Sequence, residues 1–349
     1  MPRAGGGFTY NFNQFSGEGC AAQLRRSAVK ITARQRAGSA GDGSTTVLGG
    51  FTIMANTITY AKIFQKELDK QVLEGSTSGW MEENASQVIY NGGNEIKMPK
   101  MSLQGLGSYD RDAGYSGGAV TYSYETFALT QDRGRRFRID AIDVDESGFG
   151  LAAANVAAEF QRTQVIPEID AYRYSKLAAA AEIKDTYTPD KATVMSSLLA
   201  QLGEVRDITG DEGDVVIVMS RPVYDKLMLS GEISYAVEST QFKQGELEFT
   251  VKSINGVPVI PVPSARMKSE YDFKTDSAGG FAAKSSAKDI NWIICPKSAP
   301  IAVSKTDNIK IITPEANQFA DAWDIDYRKY HDLFVPENKK AVIAVSLGV

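Results

Sequence analysis

Two residues of this chain could supply a nucleophile and its base. Gly114-Tyr115-Ser116-Gly117-Gly118 matches G-x-S-x-G, the serine-hydrolase elbow, and His331 is the single histidine. The elbow works because a buried strand delivers the serine to a sharp turn and a helix carries the chain away. Here the charged run 108–113 precedes the serine and the alternating run 119–124 follows it. The expectation is therefore a loop serine at Ser116 and a strand histidine at His331, with no triad. Asp321, Asp324, Asp326 and Asp332 share the alternating run around His331. A solvated strand face accounts for them more simply than a metal or an acid–base pair.

The remaining motifs are weaker. Residues 41–46, GDGSTT, resemble a nucleotide-contacting motif of chaperonins, but they stand in a low-complexity tract and nothing else follows that pattern. There is no Walker A loop, no G-x-G-x-x-G and no His/Cys cluster of metal type, and Cys20 and Cys295 alone cannot build a disulfide framework. No catalytic residue, metal ligand or cofactor is expected. Arg133, Arg135, Arg136 and Arg138 form a basic cluster with only Phe137 interleaved. That pattern suits a charge contact between subunits better than a nucleic-acid groove. The net charge of −5 also argues against a general nucleic-acid binder. No apolar run approaches the roughly 18 residues of a membrane span, and the first thirty residues have no secretory pattern.

These residues need elements to hold them. Residues 1–53 are rich in Gly, Ser and Arg, carry six Lys/Arg against two Asp/Glu, and read as a disordered basic head. Gly49-Gly50 lies just before Met54, as a translated purine-rich ribosome-binding site would, so the natural start is expected at Met54. Residues 54–84 form an arm in which Tyr60, Ile63, Phe64, Leu68 and Val72 fall at helical spacing behind Thr59 as cap.

Residues 85–140 read as a long hairpin. Val120, Tyr122, Tyr124 and Thr126 take one face of a strand, and Thr121, Ser123, Glu125 and Phe127 take the other. Its tip is rich in Gly and charge, and Tyr109, Asp110, Arg111, Asp112 and Tyr115 look like a contact surface there. A two-stranded ribbon is marginal in water, so this one implies a partner surface.

The stretch 144–183 is the spine. Alanine recurs through it, and Phe149, Ala153, Val156, Phe160, Ile169, Tyr172 and Leu177 step round at helical spacing. Asp143 or Asp145 is the expected cap. Pro167 has no N–H and its ring clashes one turn back, so a kink or break is expected there. A helix of this length would span about 60 Å at about 1.5 Å per residue.

Beyond it, a helix opens at Thr188-Pro189 and a buried strand follows over 215–220. Ser220 is expected to cap the next helix, and Asn255-Gly256 turns a hairpin. Residues 268–290 read as a polar loop, and strands close the chain, the last pair turned by Pro336-Glu337-Asn338. The fold class is α+β, with hairpins rather than repeating βαβ units.

Arm, long hairpin with a glycine-rich tip, spine helix, mixed α/β half and closing strands occur in that order over 54–349. The order resembles the major capsid proteins of tailed bacteriophages, the Hong Kong 97 fold. MANTITYAKIFQKELDKQV, VIPEIDAYRYSKLA, SINGVPVIPVP and INWIICPKSAP are the stretches that look most like that family. The resemblance implies an icosahedral shell protein of a virion, built as hexamers and pentamers in the bacterial cytoplasm around double-stranded DNA. It makes 85–140 the extended loop, 141–187 and 291–349 mainly the peripheral domain, and 188–290 mainly the apical domain. A separate scaffolding protein and a portal are the implied partners, and no membrane is. Certain relatives cross-link a loop lysine to an asparagine of a neighbour, which would fall to Lys97 or Lys100 and to Asn317 or Asn338. The alternative within the fold is an encapsulin-like compartment, and outside it a serine hydrolase using Ser116.

Intact-mass measurement of the natively expressed protein should give a chain beginning at or just after Met54. A mass that includes residues 1–53 would overturn that start.

Overall fold

The computed structural model describes residues 75–90, 94–146, 153–210, 214–230, 237–244, 247–274, 276 and 278–349. The head, the expected start at Met54, the arm helix with Thr59, and Phe149 of the spine lie outside the described residues.

A 3-10 helix, Gly79–Gln87, leads into β1 (Ile89–Tyr90), β2 (Glu95–Leu103) and β3 (Val120–Ala128), which form one antiparallel sheet. β4 (Gln131–Asp140) turns away into a different sheet, so the long hairpin is β2 and β3 only. The spine then runs as α1 (Ala141–Glu146), α2 (Ala153–Phe160), a π-helical stretch Gln161–Val165, and α3 (Ile166–Ala180). Asp140, not Asp143 or Asp145, caps it: its Oδ1 accepts the Ile142 N–H at 2.9 Å. Asp143 and Asp145 already lie inside α1. At the π-helical stretch the Ile166 N–H reaches five residues back to the Gln161 carbonyl. Pro167 follows as the second residue of α3, inside a helix continuous with the π-helical stretch, so its missing N–H interrupts the bonding ladder there.

After β5 (Ile183–Thr186) comes α4 (Val194–Thr209), which starts later than Thr188-Pro189 suggests. Asp190 is the reason: its Oδ1 accepts the Ala192 N–H and its carbonyl the Val194 N–H, holding residues 190–193 in a turn. β6 (Val215–Ser220) runs into α5 (Arg221–Met228) through Ser220, whose side chain makes no capping bond. β7 (Val237–Gln244), β8 (Leu247–Ile254) and β9 (Val257–Val262) follow, the last two joined by Asn255 (φ 49°) and Gly256 (φ 79°). The stretch expected to be a polar loop contains a hairpin, β10 (Tyr271–Phe273) and β11 (Phe281–Ala283). Tyr271, Phe273 and Phe281 hold it together by ring contacts within 6.4 Å. The chain closes with β12 (Ile290–Pro296), β13 (Ile301–Ile312), β14 (Ala322–Phe334) and β15 (Ala344–Leu347).

Two sheets carry the body. The larger has the order β5-β15-β12-β6-β9-β8-β7, and the smaller is β13-β14-β4. The chain from β14 to β15 is therefore no hairpin, because a 3-10 helix over Glu337–Val342 carries it from one sheet to the other. The closing strands divide between the two sheets: β12 and β15 join β6–β9, and β13 and β14 join β4.

The spine joins the two sheets. Ala153 and Ala157 pack on Ile325, with Phe137 and Ile139 beside them, and Val165 and Ile169 pack on Tyr327. Farther along, Tyr174, Leu177 and Ala178 share a core with Val216, Val218, Ile293 and Val345 of the larger sheet. The other face of that sheet is covered by α4 and α5 through Leu198, Leu202, Val223 and Leu227. The first half of the spine is one-sided as its stripe predicts, whereas residues 169–175 are buried all round.

Burial on all sides brings polar groups with it, and two carboxylates hold the arrangement. Asp170, fully buried in α3, accepts bonds from Ser76 Oγ, Thr77 N and Oγ1, Ser78 N and Oγ, and Arg266 Nη1, all between 2.5 and 3.2 Å. Asp332, fully buried in β14, accepts from Tyr172 Oη at 2.6 Å and Lys176 Nζ at 2.7 Å on the spine. It also takes Thr130 N at 2.9 Å and Oγ1 at 2.8 Å, at the junction of β3 and β4.

Asp170→Ala should cost about 3–5 kcal/mol in urea unfolding of the full chain, because Arg266 and the 76–78 donors stay buried without their acceptor. Asp170→Asn should lie between the two, and a loss below about 1 kcal/mol for the alanine variant would mean that water replaces the carboxylate. Pro167→Ala returns one N–H to the helix beside the π-helical stretch, and should stabilise the chain by about 1 kcal/mol while slowing amide exchange across 161–168. A destabilised variant with unchanged exchange would show that the π-helical stretch does not depend on the proline.

Candidate functional site

The two residues of the conceivable triad stand in different surroundings. Ser116 lies in the exposed tip between β2 and β3. His331 is 3 % exposed, in the middle of β14. Burial holds its imidazole well below the usual histidine range, and Arg173, Lys329, Arg133 and Lys176 push the same way. On the spine it meets the Tyr172 ring at right angles, 5.6 Å between centroids. Among the described residues no group of three His, Cys, Asp or Glu side chains is placed to hold a metal ion.

The aspartates of β14 are not a solvated face. Asp324 is 3 % exposed and Asp332 fully buried. Asp324 is bonded by Arg138 Nε and Nη2 at 2.8 and 2.9 Å, and Asp326 by Arg136 at 2.5 and 2.6 Å. Both pairs are directly opposite in the β4–β14 register, and Arg328 reaches diagonally to Asp132. One face of this sheet is thus a ladder of fork-to-carboxylate pairs, while the residues between them face the spine. The bonded guanidinium holds each of the three carboxylates below the ordinary range.

The basic cluster thereby finds partners inside its own chain. Arg133 pairs with Glu168 of the spine and bonds the carbonyls of Lys274 and Gly280, both at 3.1 Å. Arg135 points to the same hairpin turn, with the Ala278 carbonyl 3.5 Å away. Arg136 and Arg138 keep about half of their side chains in solvent.

The ribbon is different. At its base, Ile96, Met98 and Phe127 turn one face inward onto Ile301, Val303 and Phe334. Toward the tip the apolar residues change face. Pro99 stands opposite Tyr124, Met101 opposite Tyr122, and Leu103 opposite Val120, all exposed and all on the face away from that core. At the tip, Asp110 and Gly114 exchange backbone bonds of 3.0 and 2.8 Å, with Gly114 at φ 81°. Asp110 Oδ1 also takes the N–H groups of Asp112 and Ala113. That closed turn presents Tyr109 and Tyr115 edge to face at 5.0 Å, Tyr115 being 91 % exposed. Arg111 and Asp112 stand exposed between them.

Of the lysines and asparagines considered for a cross-link, Lys100 pairs with Glu125 at 3.0 Å and shares a small depression with Asn338. Asn317 instead bonds the Ala322 carbonyl at the far end of β14.

No family model matches the chain, and neither does any curated protein. Solved structures do. The mature capsid of bacteriophage PhiM1 is similar at 11 % identity and a TM-score of 0.52, covering 75 % of this chain and 84 % of that one. The capsid of cyanophage P-SCSP1u is similar at 12 % identity and 0.51, covering 74 % and 85 %. Gordonia phage Cozz gives 12 % and 0.51, covering 75 % and 82 %. With a ribbon, a spine and two sheets in that order, the chain has the α+β Hong Kong 97-like fold of tailed-phage capsid structures.

Proposed function

We propose that this chain is a structural shell subunit, the major capsid protein of a tailed phage or prophage. Copies of it assemble in the bacterial cytoplasm into hexamers and pentamers of an icosahedral shell that encloses double-stranded DNA, with a separate scaffolding protein and a portal as partners. In this reading the ribbon is the extended loop. The spine with β4, β13 and β14 is the peripheral domain, and the seven-stranded sheet with α4 and α5 the apical domain.

The observation that carries the reading is the outer face of the ribbon. Met101, Leu103, Val120, Tyr122 and Tyr124 form a contiguous apolar surface that none of the described residues covers. A monomer that exposes such a surface on a two-stranded element gains by covering it with a neighbour. Repeated over a closed symmetric assembly, that gain orders the ribbon and joins the subunits. The residues after the head carry net negative charge, which suits an inner wall that does not grip DNA.

Electron microscopy of the purified full chain should show closed shells. A chain that stays monomeric at all concentrations, or an esterase activity that vanishes in Ser116→Ala, would overturn the reading. Shells found with enzyme cargo and no DNA would point to the encapsulin-like alternative.

Deleting the tip, residues 106–117, separates folding from assembly. Among the described residues the tip packs on no core, so the melting temperature should stay within about 2–4 °C, the effect of about 1 kcal/mol on a domain of this size. Shell yield should fall while soluble subunit remains. Normal shells from the deletion would show that the tip makes no subunit contact, and an unfolded subunit would place the tip within its own fold.

A further inference from the structure

Phe319 is 89 % exposed, and the turn that carries it is tied in place. Asn317 does the tying: its Nδ2 donates to the Ala322 carbonyl at 3.0 Å, and its Oδ1 accepts the Phe319 N–H at 3.1 Å. Its own N–H returns to the Thr313 carbonyl at 3.0 Å, behind the 3-10 turn Pro314–Ala316. A phenyl ring held in water on a fixed turn gains by entering an apolar hollow. Glu315 and Asp321 stand exposed on the same turn, and among the described residues neither forms an ion pair.

A hollow of the right size lies past the other end of β14. Beyond Lys97, where β1 stops, β2 has an open edge, and a depression of 140 Å³ lies beside it. Met98, Met101, Ile301 and Pro336 give it apolar walls. A cavity of about 150 Å³ is enough to hold a benzene ring, and methionine sulfur packs well against an aromatic edge. Its charged groups amount to one ion pair and one cation left over. Lys100 is spent on Glu125, whereas Lys339 meets the Ser298 carbonyl at 2.6 Å and, among the described residues, no carboxylate. The ring and the hollow cannot meet within one chain. The 13 residues of β14, at about 3.3 Å each, put about 40 Å between its ends.

We propose that Phe319 of one copy of this chain seats in the depression between Met98, Met101 and Pro336 of a second copy, with the carboxylates of its turn facing Lys339 there. The ring matches the hollow in size, and the unpaired carboxylates match the unpaired cation. Because the two surfaces differ, the contact is head-to-tail, and copies joined this way close into a ring when the rotation between them allows. A symmetric contact of Phe319 with itself would instead crowd Glu315 and Asp321 of both copies together. The contact rests on the reading of this chain as a self-assembling subunit and names two of the surfaces that meet.

Cysteines beside the ring and the hollow test it and leave both intact. Gln318 and Asn338 are exposed, the first next to Phe319 and the second at the depression. In the full chain with Cys20→Ser, Gln318→Cys and Asn338→Cys together should give a ladder of dimers, trimers and larger species when assembled protein meets a short bis-maleimide. Cys295 is buried and stays silent, and neither single variant should give a ladder. Phe319→Ala should keep the thermal transition of the subunit and raise the protein concentration needed for shells about tenfold, with Phe319→Leu in between. Shells without a ladder in the double variant, or an unchanged assembly concentration in Phe319→Ala, would overturn the contact and leave the shell reading standing. A dimer from Gln318→Cys alone would set the turn against itself, and cross-links solely to another protein would put a foreign chain in the hollow. Either result overturns the proposal. A natural chain that never leaves the monomer overturns the shell reading, and this contact with it.

Discussion

A carboxylate in the middle of a helix, with no water around it, must be surrounded by donors or it will not stay charged. Asp170 meets that demand with a Ser-Thr-Ser run from before the first strand and an arginine from the 264–266 turn. The constraint works in both directions. Those donors are ordered because the spine offers one acceptor site, and the spine can be buried all round because they arrive. Arg173, three residues on, repeats the device with charges reversed, bonding the Ser78 carbonyl and Glu82. Asp332 does the same from the sheet side, gathering Tyr172, Lys176 and Thr130. Chain segments about ninety to two hundred residues apart are thus fixed on one helix by directional bonds, which the apolar contacts alone would not orient.

The ribbon begins where this fixing ends. Thr130 and Leu129 are bonded to the body through Asp332 and through Tyr330, whose hydroxyl donates to the Leu129 carbonyl. Farther out, among the described residues, only Phe127 on Phe334 and Glu125, which accepts the Glu337 N–H, reach it from β3. Beyond the core around Ile96 and Met98, the ribbon's apolar side chains lie on the opposite face. In a strand the two faces alternate with period two, so such a switch is written residue by residue and needs no bend. A single chain can then be stable as a folded body and still carry a face whose burial awaits another molecule.

Local chemistry was legible in the sequence, and choice of partner was not. The alternation over 120–127, the Asn255-Gly256 turn and the buried strand 215–220 follow from neighbours in the chain, and all are present. The spine was legible through its alanines, but Asp170 and Arg173 were passed over, although two charged residues inside an apolar stripe are the signal for a buried network. Asp324 and Asp332 look like an alternating polar face until Arg138 and the spine are placed against them. The 271–283 hairpin is hidden because Tyr271, Phe273 and Phe281 are spaced among charges, and their packing is with one another. β15 was misjoined to β14 because nothing near Pro336 says which sheet the chain returns to. The resemblance to capsid proteins supplied the architecture where periodicity could not.

Acid acts on this fold at His331 and along the Arg–Asp ladder, among other groups, and the signs agree. The folded state holds His331 neutral, whereas the unfolded chain protonates it near the ordinary value of about 6.5, so the unfolded state gains protons first as pH falls below that value. The aspartates of the ladder keep their charge below their ordinary range because Arg138, Arg136 and Arg328 bond them. Their contribution is whole above the unfolded value, about 3.9, and is lost as pH falls through the lowered folded values. The first step sits at the junction of spine and sheet, and the second runs along the outer face of that sheet. As pH falls, the folded chain therefore first loses stability through His331, and loses the contribution of the β4–β14 ladder only in stronger acid.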